Sequence, residues 1–225
     1  MFHFYSVVKT FFKLISFVKK SILHNDIYIF SPLFGIIIFI DTWEAISQMI
    51  SAGPEGKDGV SSILLAAPRF DSSFPLWAGP IFAMLESNVS AANAEPLVGI
   101  VCFHPEYATP DGSSWPGFGH LHSLPRLRKW VDSSGKKGNK NNKIEGDMNI
   151  DPIDLSDTEV AAGGAWQRRT PHATINVLWA QQLEAAEGRR ETGELYANNI
   201  RTLVCDVGLN QLAKDLENEK TLNGK

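Results

Sequence analysis

The run Leu97-Val-Gly-Ile-Val-Cys-Phe103 constrains the fold most, because it is apolar throughout and stops at His104-Pro105. A short apolar run closed by a proline turn reads as a buried strand. The loop behind it, residues 104–124, is rich in Gly and Pro and carries His104, Tyr107, Asp111, His120 and His122, with Arg126 just beyond. Loops of this length in compact domains are usually functional or disordered, and the aromatic and His content argues against disorder. A second segment has the same grammar reversed. Arg168-Arg169-Thr-Pro-His172 is polar, and residues 173–179 then alternate, with Ala173, Ile175, Val177 and Trp179 facing one way. Alternation of this kind marks a half-buried strand.

Two further runs extend the sheet. Residues 61–67 (SSILLAA) are short, apolar and ended by Pro68, which suits a strand covered on both faces. Residues 36–40 are expected to form the first strand. Asp41 then caps a helix, with Glu44 at the capping-box position and Trp43, Ile46, Met49 and Ile50 at helical spacing. Residues 74–89 predict a helix that kinks or begins at Pro80. Shorter helices are expected over 125–131, from a Ser156–Glu159 capping box to Gly163-Gly164, and over 180–187. A helix capped by Thr192 follows, then a last one carrying Leu209, Leu212, Ala213 and Leu216. This order predicts an α/β fold: a small mixed or mainly parallel sheet of about four strands flanked by helices, with a long loop and a flexible insertion. Ligands of open α/β sheets sit beyond the carboxyl ends of strands, and His104 stands at such an end.

One α/β domain is expected, made of residues 35–131 and 151–218. The Lys/Asn/Gly-rich stretch 132–150 reads as a flexible insertion and 219–225 as a frayed tail. Residues 1–34 form a hydrophobic leader outside the core, in a region (1–40) without a single Ala, Arg or Glu. The apolar segment 27–40 has 14 residues, interrupted by Pro32 and Gly35. A membrane span needs about 20, so membrane association follows only if this segment acts as an anchor. As a secretory signal its apolar run starts late and no small-residue cleavage site follows; as a transit peptide it lacks Arg.

A net charge of -4 with scattered basic residues gives no footprint for nucleic acid. Two cysteines build no disulfide framework and fit a reducing, intracellular and soluble setting.

Phe103-His-Pro-Glu-Tyr107, Arg169-Thr-Pro-His-Ala-Thr-Ile-Asn-Val-Leu178 and Asn199-Ile-Arg-Thr-Leu203, in that order, resemble an uncharacterised family, domain of unknown function 1415. Its members pair an F-H-P-x-Y turn with a later R-S-P-Y-P-M-L-H-L-L-R-E segment and an N-I-x-x-L helix. The likeness runs from about residue 36 to 216. The family's early Cys-Pro segment has no counterpart in the first forty residues, which makes the chain a divergent member. The resemblance implies an intact domain with the two loops paired, and no reaction.

Several constellations carry chemistry. Arg168 and Arg169, with Arg126 and Arg128, suit bidentate capture of phosphate or carboxylate; salt bridges to neighbouring acids are the structural alternative. Tyr107 and Asp111 are further ligand-binding candidates, although Asp111-Gly112 is first a turn signal. His104 and His172 are the candidate general acid and base, since imidazole titrates near neutrality. His120-x-His122 with His104 would be a facial set for a divalent metal, to which Asp111 or His172 adds a ligand. Cys102 is a core residue unless His104, two positions on, activates its thiol. No dinucleotide, P-loop or nucleophile-elbow motif is present, and no cofactor is predicted. The expected function is binding of a small anionic molecule at a His/Arg loop cluster, with histidine acid–base chemistry if the protein is an enzyme. The alternative is a non-catalytic interaction domain in which the histidines are structural.

Overall fold

The computed structural model describes residues 32–53, 59–111, 122–137, 154–182 and 191–223. Three short strands form its sheet: β1 (Ser62–Ala66), β2 (Val98–Phe103) and β3 (Thr174–Trp179). They match three of the four expected runs. β3 lies in the middle and pairs antiparallel with both neighbours, so among the described residues the sheet has three antiparallel strands, in place of the expected mixed or mainly parallel sheet of about four. The register explains the pairing. Ala66 and Phe103, the last residues of β1 and β2, both stand opposite Thr174, the first of β3. The chain leaves β1 and β2 and enters β3 at the same end of the sheet. Antiparallel pairing needs no crossover connection.

The fourth expected strand is helical. Residues 36–40 lie inside α1 (Pro32–Ala52), which runs through Asp41 without a cap. Ile38, Thr42, Ala45, Ile46 and Met49 are all buried, at the spacing of one helix face. The Thr42 hydroxyl donates to the Ile38 carbonyl at 2.7 Å, so the polar side chain is satisfied within the helix. The next helix, α2, comprises Phe74–Leu76, a π-helical stretch Trp77–Ile81 and Phe82–Ala91. Pro80, which has no N–H to donate, sits in that widened turn, and the helix passes through it unbroken.

Residues paired across an antiparallel sheet share a face. One face carries Val98, Ile100, Cys102, Ile175 and Val177, all buried in a core completed by α1 and α2 through Met49, Trp77, Phe82 and Leu85. The other face carries Val101, Phe103, Asn176 and, on β1, Leu64, which is 66% exposed.

A second core joins α3 (Leu124–Lys137), α4 (Asp157–Trp166) and α5 (Glu191–Arg201) through Leu127, Val131, Leu155, Val160, Ala197 and Ile200. Residues 132–137, expected in the flexible insertion, extend α3; residues 138–150 lie outside the described residues. The Ser156–Glu159 capping box opens α4 as expected. Gly163-Gly164 does not end it. The helix continues to Trp166, and the two glycines lie where other side chains come closest: Ile200 and Val204 against Gly163, Leu127 and Thr109 against Gly164. Thr192, the expected cap, lies within α5. That helix continues as a π-helical stretch Thr202–Val207, and Gly208, at φ +87°, ends it before α6 (Leu209–Asn223). Residues 219–223, expected to fray, are helical. The expected leader, apart from residues 32–34 of α1, and the loop centre 112–121 lie outside the described residues. No described helix is long and apolar enough to cross a membrane.

Candidate functional site

Because three chain segments meet at one end of the sheet, the nominated loops come together there. The His104 backbone N–H donates to the Arg168 carbonyl at 3.1 Å, and Arg169 Nε donates to the Tyr107 carbonyl at 3.2 Å. Their backbones touch, but their side chains go to different places.

His104 is fully buried. Its Nδ1 accepts from the Glu106 N–H at 3.0 Å, which leaves the proton on Nε2, and Nε2–H donates to the Phe70 carbonyl at 2.9 Å. The ring packs on Phe74 at 5.5 Å, and burial holds its pKa below the usual imidazole value. Nδ1 thus braces the turn after β2, and Nε2 joins that turn to the one after β1. Tyr107 is also buried. Its ring lies 5.0 Å from Phe74, and burial pushes its phenol pKa up. Arg169 lies over the Trp166 ring at 4.6 Å.

His172 has a different environment. Its Nδ1 meets Asp71 Oδ2 at 2.8 Å, and the other Asp71 oxygen accepts from the Ala173 N–H at 2.6 Å. Both side chains keep about a quarter of their surface exposed (28% each). With Nδ1–H donated to the carboxylate, Nε2 is the nitrogen left for exchange with solvent. Asp71 was not among the sequence candidates. It lies in a polar turn, Arg69–Ser73, with no motif around it.

A cavity of about 580 Å³ lies against the other sheet face. Val101 and Phe103 of β2 and Asn176 of β3 form its floor. Trp166, Gln167 and Arg168 form one wall, and Thr192, Leu195, Tyr196 and Asn199 of α5, with Thr202 and Leu203 of the π-helical stretch, form the roof. Volumes of this size are typical of small-molecule sites, and π-helical turns recur beside them. Among the described residues that line it, Arg168 is the only charged one. The Tyr196 hydroxyl lies 3.4 Å from its Nη2, and its guanidinium is 5.5 Å from the Phe103 ring centre, so the fork is held in position. Asn176 and Gln167 each also hold a buried amide atom, Oδ1 and Nε2 respectively, that is shielded from solvent and has no hydrogen-bond partner among the described residues. Gln167 Oε1 is occupied by the Asn199 amide at 3.1 Å.

Among the described sequence candidates, only Arg168 lines this cavity. Arg126 stacks over Trp130 at 5.0 Å. Arg128 is engaged by Asp132 at 3.1 Å, by Asp157 at 3.7 Å, by Asp154 at 3.8 Å and by the Leu155 carbonyl. Asp111 is exposed at the end of its described segment. His122 packs edge-on between Trp130 (4.8 Å) and Tyr196 (4.6 Å), away from the aromatic neighbours of His104. His120 lies outside the described residues. Among the described residues no group of three or more His, Cys, Asp or Glu could hold a metal.

Sequence reasoning missed Gln167, Asn176, Tyr196 and Asn199 as a set. Asn176 carried a usable signal, being an amide in the middle of an apolar strand. Tyr196, Asn199 and Leu203 recur at the spacing of one helix face.

No protein-family model matches the chain, and neither the curated proteins nor the solved structures give a match.

Proposed function

We propose that the protein binds a small anionic molecule in the cavity between β2–β3 and α5, with Arg168 as the anion-holding residue. The carrying observation is that, among the described residues of the lining, Arg168 is the one charged side chain, and its guanidinium lies beside Tyr196 and Phe103. A planar fork beside a largely apolar wall suits bidentate capture of carboxylate or phosphate. The segments that resemble domain of unknown function 1415 support the reading. Phe103, Asn176, Asn199, Thr202 and Leu203 come from all three of them and line this one cavity. The intracellular setting belongs to the same proposal; both cysteines are free thiols.

Titration calorimetry of the full chain with inorganic phosphate, phosphate monoesters and small carboxylates tests the reading. At least one is expected to bind, and Arg168→Ala is expected to weaken it by roughly tenfold or more, the size of a lost charge-assisted hydrogen bond. Equal affinity of the wild type and a folded Arg168→Ala chain would overturn it.

A second, catalytic reading, at a place outside the cavity lining, is favoured by one observation, the Asp71–His172 pair. A carboxylate that fixes the Nδ1–H tautomer and leaves Nε2 as the base is the arrangement general-base histidines use. On this reading His172 is the acid–base residue and His104 a structural one.

A further inference from the structure

Resting on the anion reading of the same cavity, we infer that the anionic molecule is a monocarboxylate with an aliphatic tail, the chemistry of a medium-chain fatty acid. Its carboxylate is directed to Arg168 and its hydrocarbon runs over the sheet floor. The tail is read from what the walls offer an occupant. Asn176 Oδ1 and Gln167 Nε2 are shielded from solvent, so neither is within a ligand's reach, and Gln167 Oε1 already accepts from the Asn199 amide at 3.1 Å. The rings are engaged as well. Phe103 carries Arg168 at 5.5 Å and Trp166 carries Arg169 at 4.6 Å, while Tyr196 packs against Trp130 and His122. The surface left to an occupant is largely aliphatic, with Val101, Leu195 and Leu203 foremost.

A second observation lies in where apolar surface stays uncovered. Leu64, 66% exposed, and Leu195, 57% exposed, are the two most exposed large apolar side chains among the described residues. Leu195 lines the cavity from α5. Leu64 stands opposite Asn176 in the row Val101, Asn176, Leu64, so it extends the cavity floor across the sheet onto β1. That row spans two strand spacings, about 10 Å, which suits an extended chain of medium length. Single exposed leucines are ordinary, but two at one cavity mark apolar surface that a ligand can cover. The head group follows from charge. One guanidinium matches the single charge and paired oxygens of a carboxylate, whereas a phosphate monoester brings roughly two charges and a third oxygen.

The test is calorimetry on the full chain with butanoate, hexanoate, octanoate and decanoate, and with octanol, octyl phosphate and inorganic phosphate. Affinity is expected to rise roughly two- to fourfold per methylene along the carboxylate series, the worth of a buried CH₂. Octanoate is expected to bind more tightly than octanol or octyl phosphate. Leu195→Gln, checked for an unchanged far-UV spectrum, is expected to flatten the rise and leave butanoate as it was. Equal binding of butanoate and octanoate, with loss of both in a folded Arg168→Ala chain, would overturn the tail and keep the anion reading. Octanol that binds as tightly as octanoate, with both unchanged in Arg168→Ala, would overturn the carboxylate and the anion reading with it. Tighter binding of octyl phosphate or inorganic phosphate overturns the choice of head group. A rise with chain length that Leu195→Gln leaves intact, or no binding by any carboxylate, overturns the inference outright.

Discussion

Asp71 and His172 are joined at 2.8 Å across a hundred residues of chain, and the same carboxylate holds the Ala173 N–H at 2.6 Å. One side chain therefore ties the turn after β1 to the entry of the central strand. Asp71→Asn keeps the shape but removes the charge and one acceptor. The amide can still accept from one partner, but its nitrogen faces the other. The expected loss is about 1–3 kcal/mol in urea unfolding, in the range of a hydrogen bond to a charged group. Diethyl pyrocarbonate gives an independent check. His172 is expected to be modified in the folded protein and His104 protected. Unchanged stability in the Asn variant, or modification of His104 at the rate of His172, would show that the pair is not a clamp and that the two imidazoles are not distinguished by burial.

His104 makes a prediction about pH. Its folded pKa is depressed by burial, despite the Phe70 carbonyl, which favours the protonated form. Below about pH 6.5, the ordinary imidazole value, the unfolded chain takes up a proton at this position that the folded chain resists. The unfolded state then binds more protons, so stability falls as the pH drops through that value and is fully present above it. His104→Ala is expected to remove this part of the slope. At neutral pH it should also cost about 2–4 kcal/mol, because the Phe70 carbonyl and the Glu106 N–H lose their buried partner. Urea midpoints at pH 5 and pH 7.5 for the two proteins measure both effects. A variant with the same pH dependence as the wild type would contradict the assignment.

Three strands were readable because each is a short apolar or alternating run fenced by prolines, glycines or a polar turn. Residues 36–40 misled because Ile-rich runs favour strands when they stand alone. The signal that decides is the 38, 42, 45, 46, 49 spacing, which crosses Asp41 and appears only if Thr42 is counted among the buried positions. Strand direction was not readable. It depends on which strand ends meet, and the connection from β2 to β3 spans 70 residues, 104–173, with helices of its own. The meeting of the two loops was foreseen, whereas the direction of each side chain was not. Strand alternation sends Cys102 into the core and Phe103 to the cavity face. Arg168 and Arg169 likewise part company, one to Phe103 and one to Trp166.

Gly163 separates packing from propensity. Alanine is the better helix former by about 1 kcal/mol, and on an exposed helix Gly163→Ala would stabilise. Here a Cβ would stand 2.8 Å from Ile200 Cγ2, 3.0 Å from Val204 Cγ2 and 3.3 Å from the Ile200 Cα, which is backbone. The side chains can turn away but the backbone of α5 cannot. The expected net effect is a destabilisation of about 1–3 kcal/mol from overpacking. Because α5 roofs the cavity, ligand affinity should fall with it. Thermal melting with and without ligand checks both, and a variant that melts higher than the wild type would show that α4 and α5 are not in close contact.

The two thiols give the last prediction. Cys102 is buried on the core face of β2, and burial pushes its pKa up to about 12. At neutral pH it stays a thiol, which is too weak for nucleophilic chemistry, and nearby His104 has both ring nitrogens committed elsewhere. Cys205 is exposed in the π-helical stretch after α5, with its pKa also raised, by partial burial first and then by Asp206 and Glu159. A thiol-exchange reagent should therefore modify one cysteine of the folded chain, slowly at pH 7 and faster as the pH rises, and the second only after denaturation. Cys205→Ser should abolish the native reaction and leave the denatured one. If Cys102 reacted in the folded chain at a rate comparable to Cys205, the sheet would have to open on the time scale of labelling, and a thiol mechanism at the end of β2 would have to be reconsidered.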